Sequence, residues 1–268
     1  MNIKTKETKL RNFAKSVIDY PKYKNEINYL LSKLDLTKDK VVQSYVDYDL
    51  DISKYGNEIY ESLSMRFVLH LHNLLKESWH QERQKTIMKM IKKLDIKDAV
   101  DIGFGVPTKY IRESVLKTRK IKLTLADVYD SAFKFAEQLL NYLDRNWKEI
   151  IFFKKVDMND YEYPGDYDLY LFIDSIEHVK NPSKYLSKIV KESPDNSVFI
   201  FSLPIGPKVN THFIEWKNYK EAEKWLNGHD LKIRVSKKVY VNPKVDLFAE
   251  QLDYKFYNLI LTAEKIKK

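Results

Sequence analysis

The stretch KDAVDIGFG, residues 97–105, decides how the rest of the chain is interpreted. It is a short apolar run that ends in two glycines, and such a run indicates a buried strand followed by a tight turn. Glycine adopts backbone angles that other residues avoid, and it lets a ligand approach the main chain. Residues 108–117 then return to a helical spacing of apolar residues. A strand, a glycine turn and a helix are therefore predicted in this order.

The same alternation of strand and helix continues towards the C-terminus, where short apolar runs alternate with helical segments. The further strand-like runs are residues 120–130, 150–160, 167–179 and 196–206. Alternation of strands with helices predicts a parallel sheet that is covered on both faces. Two later runs, residues 231–241 and 254–266, have no clear helix between them, so they are predicted to be antiparallel. We expect an α/β fold with about seven strands, mostly parallel.

The N-terminal third differs, because its apolar residues recur with a helical period. One such stripe runs through residues 10–18 and ends at Pro21. We predict a helical cap or lid region at residues 1–80 and an α/β domain at residues 81–268. Residues 79–83 are predicted to precede the helix that leads into the first strand and to form a lid over the site. The cap side chains that could line a substrate pocket, with plain helix packing as the alternative for each, are Tyr45, Tyr48, Tyr55, Tyr60, Trp79 and His80.

The composition excludes several classes of protein. The 268 residues are 44 % hydrophobic and 13 % aromatic, which excludes a disordered chain and a small stapled scaffold. There is no cysteine, so disulfides, thiolate nucleophiles and cysteine-bound metal centres are excluded. The longest apolar run is far shorter than the roughly 18 residues of a membrane span. The N-terminus lacks the apolar stretch of a secretory signal, so we expect a cytoplasmic protein.

The net charge of +9 raises the question of a nucleic-acid partner. The excess is mostly lysine, which is spread along the chain, whereas arginine, the better reader of phosphates and bases, is scarce. No segment alternates basic and aromatic residues as an RNA-stacking surface does. We therefore interpret the charge as a solvated surface and expect a small-molecule substrate as the partner.

Acidic residues stand at the ends of the predicted strands, where an open α/β sheet binds its ligands. Asp127 ends the second strand, 24 residues past Gly103, and an acid there can accept both hydroxyls of a ribose. Asp157 and Met158 follow the third strand and suit an adenine amino group and ring face. Asp127 alone would more often be a helix cap, and Asp157 a turn residue. The succession of glycine turn, acid, acid and apolar strand ending in Asp174 is much more specific.

Four segments together resemble the successive motifs of a known family. They are AVDIGFG (99–105), LTLAD (123–127), VDMND (156–160) and YDLYLFIDSIEHVKNPSKYL (167–186). The family is that of class I S-adenosylmethionine-dependent methyltransferases, and residues 174–186 are especially similar to its small-molecule branches, such as quinone and sugar methyltransferases. The resemblance covers roughly residues 80–268. It implies a Rossmann-like fold, S-adenosylmethionine as cofactor, and biosynthetic methylation of a small organic molecule.

The resemblance assigns cofactor binding to the glycine turn and the strand ends. The residues are Asp101, Gly103, Phe104, Gly105, Asp127, Val128, Asp157, Met158 and Asp174. The family usually has a third glycine where this chain has Val106 and Pro107. Because proline is favoured in the first turn of a helix, we interpret this pair as the start of the helix after the turn. The pair is also expected to reshape the pocket near the methionine end of the cofactor.

The residues that the resemblance places near the methyl group and the methyl acceptor follow the fourth and fifth strands. The predicted catalytic residues are Asp174, Glu177, His178 and His212. His178 is the preferred general base, because an unperturbed imidazole titrates near neutral pH. The alternative is that His178 only caps or orients the helix that begins at Asn181. The resemblance also offers Glu177, His178 and His212 as a divalent metal site, as in some family members, although the preferred prediction contains no metal ligand.

Other functions stay open at this point. Methylation of RNA or protein is one alternative, and a non-catalytic protein that binds S-adenosylmethionine or serves as a scaffold is another, supported only by Val106 and Pro107. A nicotinamide site is disfavoured because Thr108 stands where G-x-G-x-x-G needs glycine. A homodimer through the N-terminal helices is compatible with the sequence, but no feature fixes it.

Overall fold

A seven-stranded sheet forms the centre of the computed structural model, which describes residues 3–50, 56–74, 79–240 and 256–266. The strands are β1 (Asp98–Ile102), β2 (Lys122–Asp127), β3 (Ile151–Lys155), β4 (Leu169–Ile173), β5 (Val198–Ile205), β6 (Leu231–Tyr240) and β7 (Tyr257–Lys265). Their order is β3-β2-β1-β4-β5-β7-β6. The strands from β1 to β5 pair in parallel, whereas β7 runs antiparallel to β5 and β6. The predicted Rossmann-like sheet is confirmed, including its antiparallel last pair.

Helices flank the sheet and fill the N-terminal part of the chain. The α-helices are α1 (Ile3–Ile18), α2 (Lys24–Lys33), α3 (Lys38–Leu50), α4 (Leu63–Leu74), α5 (Trp79–Ile91), α6 (Asp130–Leu143), α7 (Pro182–Glu192) and α8 (Tyr219–Asn227). Shorter helical segments are Asn57–Glu61, Ile111–Leu116, Trp147–Glu149 and Ile176–His178. Within the ranges given above, no helix is both long and apolar enough to cross a membrane.

Both faces of the sheet are covered, because the central strands carry apolar side chains on either side. On one face, Phe172 of β4 stacks on Phe201 of β5 with ring centroids 5.3 Å apart, and α7 and α8 pack over them. On the other face, Ile87 of α5 and Leu140 of α6 pack against the strands. Burial of both faces explains why β4 reads as a continuous apolar run instead of an alternating one.

The first four helices have a core of their own, which joins the sheet domain through α6. Phe67 of α4 meets Phe135 of α6 edge to face, with ring centroids 5.9 Å apart, and Val106 belongs to the same apolar cluster. In contrast, α5 packs against β6 and β7. The proposed domain boundary at residue 80 falls in the first turn of α5. The division of the chain into a cap and an α/β domain at this residue stays a proposal.

A buried ionic cluster also ties the helical cap to the segment after the glycine turn. The Glu26 side chain of α2 is 6 % exposed, with Oε1 lying 2.8 Å from His70 Nε2 and Oε2 3.0 Å from Arg112 Nη2. Burial alone would raise the pKa of Glu26, but the hydrogen bonds and charges of His70 and Arg112 outweigh it, so the pKa is lowered. The ionised carboxylate therefore stabilises the contact between cap and sheet domain.

We predict that Glu26→Gln lowers the free energy of unfolding by about 2 kcal/mol in urea denaturation near neutral pH. Removal of one partner of a fully buried pair costs roughly 3–5 kcal/mol, and the partial exposure of Arg112 reduces this value. The matched control is Glu7→Gln, which removes the partner of Arg11 in an exposed i,i+4 pair and should cost less than about 0.5 kcal/mol.

The pH dependence provides a check on the same contact. Because folding lowers the pKa of Glu26, its contribution is present above the ordinary value of 4.5 and is lost as the pH falls through the folded-state value. The difference between wild type and Glu26→Gln should therefore shrink in acid. A difference that is constant across the acid range would contradict the role given to the carboxylate.

Candidate functional site

A cavity of about 500 Å³ lies at the carboxyl ends of the parallel strands, between the sheet and the helical cap. The sequence-predicted site residues that line it are Asp101, Gly103, Phe104, Gly105, Asp127, Val128, Asp157, Met158, Asp174, Glu177, His178 and His212. All of the predicted site residues therefore meet at one cavity. Their roles stay predictions, because position alone does not assign a function.

The glycine turn after β1 is held tightly against its neighbours. Gly103 and Gly105 have φ angles of 70° and 63°, in the region that favours glycine. A Cβ atom on Gly103 would lie 2.7 Å from Ser175 Cβ and 3.1 Å from Met158 Cε. The Gly103 N–H donates to the Ala126 carbonyl at 2.8 Å, which fixes the turn against β2. The turn consequently presents bare backbone to the cavity.

The interpretation of Val106 and Pro107 as the start of the next helix is wrong. The backbone stays irregular through Thr108, and the helical turn that leads into the segment Ile111–Leu116 begins at Lys109. The reason is packing: the Val106 side chain is 3 % exposed and belongs to the apolar core of the cap. The residue at the place of the third glycine thus anchors the turn to the cap.

Asp101 lies in β1 just before the glycine turn, and one of its two carboxylate oxygens has no hydrogen-bond partner among the described residues. It is 3 % exposed, and the Tyr110 hydroxyl donates to its Oδ2. Its Oδ1 is buried and has no hydrogen-bond partner among the described residues. Burial raises the pKa of Asp101 to about 7, opposed by the Tyr110 hydrogen bond and the charge of Arg83 and reinforced by the charge of Asp127. A cationic group placed at this oxygen would stabilise the ionised carboxylate.

Asp127 ends β2 and is oriented by several contacts. It is 6 % exposed, its Oδ1 accepts the Tyr129 N–H at 3.0 Å, and its Oδ2 accepts the Gly105 N–H at 3.2 Å. Arg66 Nη2 lies 3.6 Å from Oδ1. The alternative that Asp127 caps a helix does not hold, because the N-cap residue of α6 is Tyr129 and has no side-chain cap bond.

Arg66 of α4 was missed by the sequence analysis. It is 2 % exposed, its Nη1 donates to the Gly105 carbonyl at 3.0 Å, and its Nε donates to Ser131 Oγ at 3.3 Å. The cap therefore contributes a buried cation to the glycine turn. A signal existed, because Arg66, His70 and Asn73 recur at spacings of four and three and form one polar stripe. The other residues of this helix are apolar except Ser64 and His72.

Asp157 and Met158 follow β3 and differ in what they do. Asp157 Oδ1 accepts the Asn159 N–H at 2.8 Å, and the Asp157 N–H donates to Glu162 Oε2 at 2.7 Å. The carboxylate thus closes a turn, as the less specific interpretation of the sequence held. Met158 lines the cavity, and its methyl carbon Cε packs beside Gly103.

Asp174 directly follows β4 and has a strained backbone conformation, with φ at 48°. Its Oδ1 accepts hydrogen bonds from the Ser202 hydroxyl and, at 2.7 Å, from Asn258 Nδ2. Its Oδ2 forms an ion pair with Arg83. Every side-chain oxygen of Asp174 is therefore occupied, and its contacts join β4, β5, β7 and α5 at one point.

Arg83 is a buried cation among the acidic residues at the carboxyl ends of the strands, which are Asp101, Asp174 and Glu177. Its side chain is 7 % exposed, and its guanidinium lies 4.8 Å from the Trp79 ring centroid. Burial lowers the pKa of Arg83 to about 10, against the opposing charges of Glu177 and Asp101. Trp79 and Arg83 lie in the first turns of α5, so residues 79–83 belong to that helix and do not precede it as the sequence suggested. Their movement as a lid stays a prediction.

The pKa of His178 differs from the near-neutral value on which its predicted role as general base depended. His178 Nδ1 lies 2.9 Å from the Thr211 carbonyl, so this nitrogen carries the proton and Nε2 has the lone pair. Burial lowers the pKa of His178 to about 4, and the bond to Thr211 only partly opposes this. The expectation of a near-neutral imidazole is thus wrong. The alternative role as a helix cap is also wrong, because Asn181 caps α7 by accepting the Lys184 N–H at 3.0 Å.

Glu177 and His212 lie beside His178 in the lining of the cavity. Glu177 is 1 % exposed, and burial raises its pKa to about 8 despite the nearby charge of Arg83. The His212 ring meets His178 edge to face at 4.9 Å, and burial lowers the pKa of His212 to about 3 with a further contribution from His178. Glu177, His178 and His212 each present a possible ligand atom, all within 4.8 Å of one another.

The cap supplies part of its predicted aromatic lining. Tyr48, Tyr60, Trp79 and His80 line the cavity. Tyr45 does not, because it is 1 % exposed and stacks on His72 at 5.2 Å inside the cap. Tyr55 lies outside the described residues.

Comparisons with known proteins give a match of structure without a match of sequence. No protein-family model matches the chain, and no curated protein matches it. Magnesium protoporphyrin IX methyltransferase from Synechocystis PCC 6803, with bound S-adenosylmethionine, superimposes with a TM-score of 0.52 at 13 % identity, covering 85 % of this chain and 97 % of that chain. N-methyltransferase NodS from Bradyrhizobium japonicum WM9, with S-adenosylhomocysteine, gives 0.53 at 11 % identity, covering 72 % and 91 %.

The fold is that of class I S-adenosylmethionine-dependent methyltransferases. Identities this low establish the methyltransferase fold alone. The [4+2]-cyclase SpnF is also similar, with a TM-score of 0.54 at 15 % identity and coverage of 71 % of this chain and 83 % of that chain. Because one of these neighbours is a cyclase, the methyltransferase fold does not by itself specify the reaction.

We predict that Asp101→Asn becomes more stable relative to wild type as the pH rises. The folded-state pKa of Asp101 is raised from 3.8 to about 7, so the wild type loses stability between these values. Asparagine has no proton to lose, and the relative gain above pH 7 should be on the order of 3 kcal/mol in urea denaturation. Tyr110, Arg83 and Asp127 are the charged or titratable groups that act on Asp101.

The control for this prediction is Asp95→Asn, which removes an exposed carboxyl. Its stability difference from wild type should be flat over the same pH range. A flat difference for Asp101→Asn as well would overturn the raised pKa of Asp101.

Proposed function

We propose that this protein is a cytoplasmic S-adenosylmethionine-dependent methyltransferase that acts on a small organic molecule in a biosynthetic reaction. The observation that carries the proposal is the arrangement at the sheet edge. A glycine turn with bare backbone, Asp101 with its unpartnered Oδ1, and Asp127 with its fixed carboxylate all line one cavity. The methyltransferase fold supports it, because relatives of the same fold are crystallised with S-adenosylmethionine or S-adenosylhomocysteine.

The residues at this edge fit the cofactor by their chemistry. S-adenosylmethionine, when bound, supplies a methyl group that is already activated on a sulfonium. Asp101 offers a buried acceptor oxygen to a cationic group, and Asp127 offers an ionisable acceptor to ribose hydroxyls. The orphaned oxygen of Asp101 is costly without a partner, so a cationic ligand would relieve it. Gly103 and Gly105 leave room for the cofactor beside the main chain.

The remaining work of the protein is to orient the acceptor and to exclude water. Effective molarity supplies much of the acceleration when the reacting atoms are held in line. Tyr48, Tyr60 and Trp79 cover the cavity from the cap side. His178 Nε2, neutral and directed away from the Thr211 carbonyl, is able to accept a hydrogen bond or a proton from an acceptor hydroxyl or amine.

A small acceptor is favoured over RNA or protein by the size and the lining of the site. A cavity of about 500 Å³ lies within the range of small-molecule pockets, and cap and sheet side chains line it together. The Lys excess is spread along the chain and does not form a segment beside the glycine turn. RNA methylation would instead be indicated by binding with a steep salt dependence.

The first test is calorimetry with S-adenosylhomocysteine. We expect saturable binding by the wild type and at least about tenfold weaker binding by Asp127→Asn, because the ribose would lose a charged hydrogen-bond acceptor. The matched control is Asp130→Asn, which removes an 84 % exposed carboxyl paired with Lys155 and should bind like wild type. Thermal unfolding of each variant checks that the fold is intact. No binding at millimolar ligand would overturn the proposal.

The similarity to a cyclase calls for a separate test of turnover. Incubation with isotopically methyl-labelled S-adenosylmethionine and a small-molecule extract should yield a labelled product detected by mass spectrometry. Label in RNA or protein fractions would support those substrates instead. Cofactor binding without label in any fraction would support a non-catalytic or non-methylating protein of the same fold.

A further inference from the structure

We propose that the methyl acceptor is a primary or secondary amine, which binds as its ammonium ion to a cluster of oxygens around the segment after β4. This acceptor-oxygen cluster consists of Glu177 Oε2, Asn57 Oδ1 and Asn258 Oδ1, and all three residues line the cavity. The binding of a cation stands on the geometry of the cluster. The identity of that cation as the methyl acceptor rests on the proposed function.

Two oxygens of the cluster are identified by what their own amide groups donate. Asn57 Nδ2 donates to the His178 carbonyl at 3.1 Å, and Asn258 Nδ2 donates to Asp174 Oδ1 at 2.7 Å and to Ser202 Oγ at 3.0 Å. The atom left over in each amide is therefore the carbonyl oxygen, which can only accept. Both oxygens are buried, and neither has a hydrogen-bond partner among the residues that the structure describes.

Glu177 adds a carboxylate to the same place. The residue is 1 % exposed, and its carboxylate takes a hydrogen bond from its own backbone. Its Oε2 is buried and has no partner within the described part of the chain. A buried carboxylate oxygen without a partner is destabilising. Burial raises the pKa of Glu177 to about 8 in the absence of such a partner, and a bound cation would favour the ionised form.

The cluster is assembled on one short segment, although its members are far apart in the sequence. Glu177 belongs to the helix Ile176–His178, Asn57 of the cap is bonded to the carbonyl of the next residue, and Asn258 of β7 is bonded to Asp174. His178 Nε2 contributes a further lone pair, because Nδ1 carries the proton. These groups accept hydrogen bonds, so a ligand that fits them must offer several donors.

Two unpartnered groups nearby are able to donate, but they do not replace a cationic ligand. Ser175 Oγ is a hydroxyl, which can donate or accept. Arg83 Nε is also unpartnered, but the guanidinium forms an ion pair with Asp174. The described contacts contain no hydrogen bond between Arg83 and Glu177. Asp174 therefore balances Arg83, and Glu177 is left for a positive charge supplied by the ligand.

The lining of the cavity as a whole also favours a cation. Its four histidines are neutral near pH 7, because burial lowers their pKa values. The charged residues of the described lining are the acids Asp101, Asp127, Asp157, Asp174 and Glu177 and the arginines Arg66 and Arg83. S-adenosylmethionine, when bound, brings a net positive charge that offsets only part of this acidic excess. The rest is available to a cationic acceptor.

The direction of charge transfer distinguishes nitrogen from oxygen acceptors. An amine nitrogen becomes positively charged as it forms its bond to the methyl group, and the acceptor-oxygen cluster would stabilise this developing charge. A phenolate, an alkoxide or a carboxylate would instead approach as an anion and meet the like charge of Glu177. The cluster therefore favours amines over acidic hydroxyl compounds as substrates.

The resulting step balances in atoms and charge. The bound ammonium ion loses one N–H proton to solvent water, and the freed lone pair of nitrogen forms the new bond to the methyl carbon. The bond from that carbon to the sulfonium sulfur breaks, and its electron pair stays on sulfur to give a neutral thioether. The positive charge passes from sulfur to nitrogen, and no oxidant or reductant is needed.

The first test compares amines with their neutral counterparts on the full chain in the presence of S-adenosylhomocysteine. The probes are benzylamine with benzyl alcohol and cyclohexylamine with cyclohexanol, followed by ligand-observed NMR in chelator, so that no metal ion competes. We expect each amine to bind at least about tenfold more tightly than its alcohol. Equal affinities within both pairs, or no binding of either amine, would overturn the proposal.

Variants connect the preference for amines to the cluster. Glu177→Gln keeps the shape but removes the charge, so the preference should fall to within about twofold. Asn57→Leu should weaken amine binding at least about threefold, with a smaller effect on the alcohols. The matched control is Glu192→Gln, which removes a 40 % exposed carboxyl near Lys188 and should retain the preference.

Thermal unfolding shows which variants are folded. If Glu177→Gln fails to fold, Asn57→Leu carries the comparison. An undiminished preference in a folded Glu177→Gln, or an equal loss in Glu192→Gln, contradicts the role of the acceptor-oxygen cluster.

Turnover gives a second readout that does not require the substrate to be known. The product labelled from methyl-labelled S-adenosylmethionine in a small-molecule extract should be a cation at neutral pH. It should therefore be retained on a cation-exchange resin and eluted by salt. Label confined to neutral or anionic small molecules would overturn the amine as acceptor.

Failure of this proposal can be told apart from failure of the proposed function. Calorimetry with S-adenosylhomocysteine alone reports on the cofactor site. Cofactor binding without a preference for amines would overturn only the acceptor class. A preference for amines that depends on Glu177, observed without cofactor binding, would support the cation site and overturn the assignment as a methyltransferase.

Discussion

Two buried arginines hold the acidic edge of the sheet together. Parallel pairing of β1 with β2 and β4 brings Asp101, Asp127 and Asp174 to one edge, where three carboxylates would otherwise repel one another in a dry environment. Arg66 from α4 lies beside Asp127, and Arg83 from α5 pairs with Asp174. The helical cap is therefore part of the electrostatics of the site and does more than cover it.

The positions of the site residues could be predicted because topology decides them. In a parallel sheet every strand ends at the same edge, so a residue type read at a strand end has a known place. The polar partners could not be predicted in this way. Arg66 reaches Gly105 and Asp127 across 39 or more residues of sequence, and a periodic pattern reports only that it lies on a helix face.

Environment explains the other errors. His178 has an ordinary sequence context. Burial lowers its pKa to about 4, and the hydrogen bond to the Thr211 carbonyl only partly opposes this shift. Val106 looked like a helix start because proline follows it, but its side chain joined the cap core instead. In both cases long-range packing prevailed over a local preference, as expected at functional sites.

The place of β7 affects the order in which the molecule can be assembled. It follows β6 along the chain but lies between β5 and β6, and its Asn258 donates to Asp174 at 2.7 Å. β5 and β6 can pair with β7 only after residues 257–265 have been synthesised, and the bond from Asn258 to Asp174 can form only then. Until that point the edges of β5 and β6 that face β7 have unpaired backbone groups, which makes them a site for aggregation.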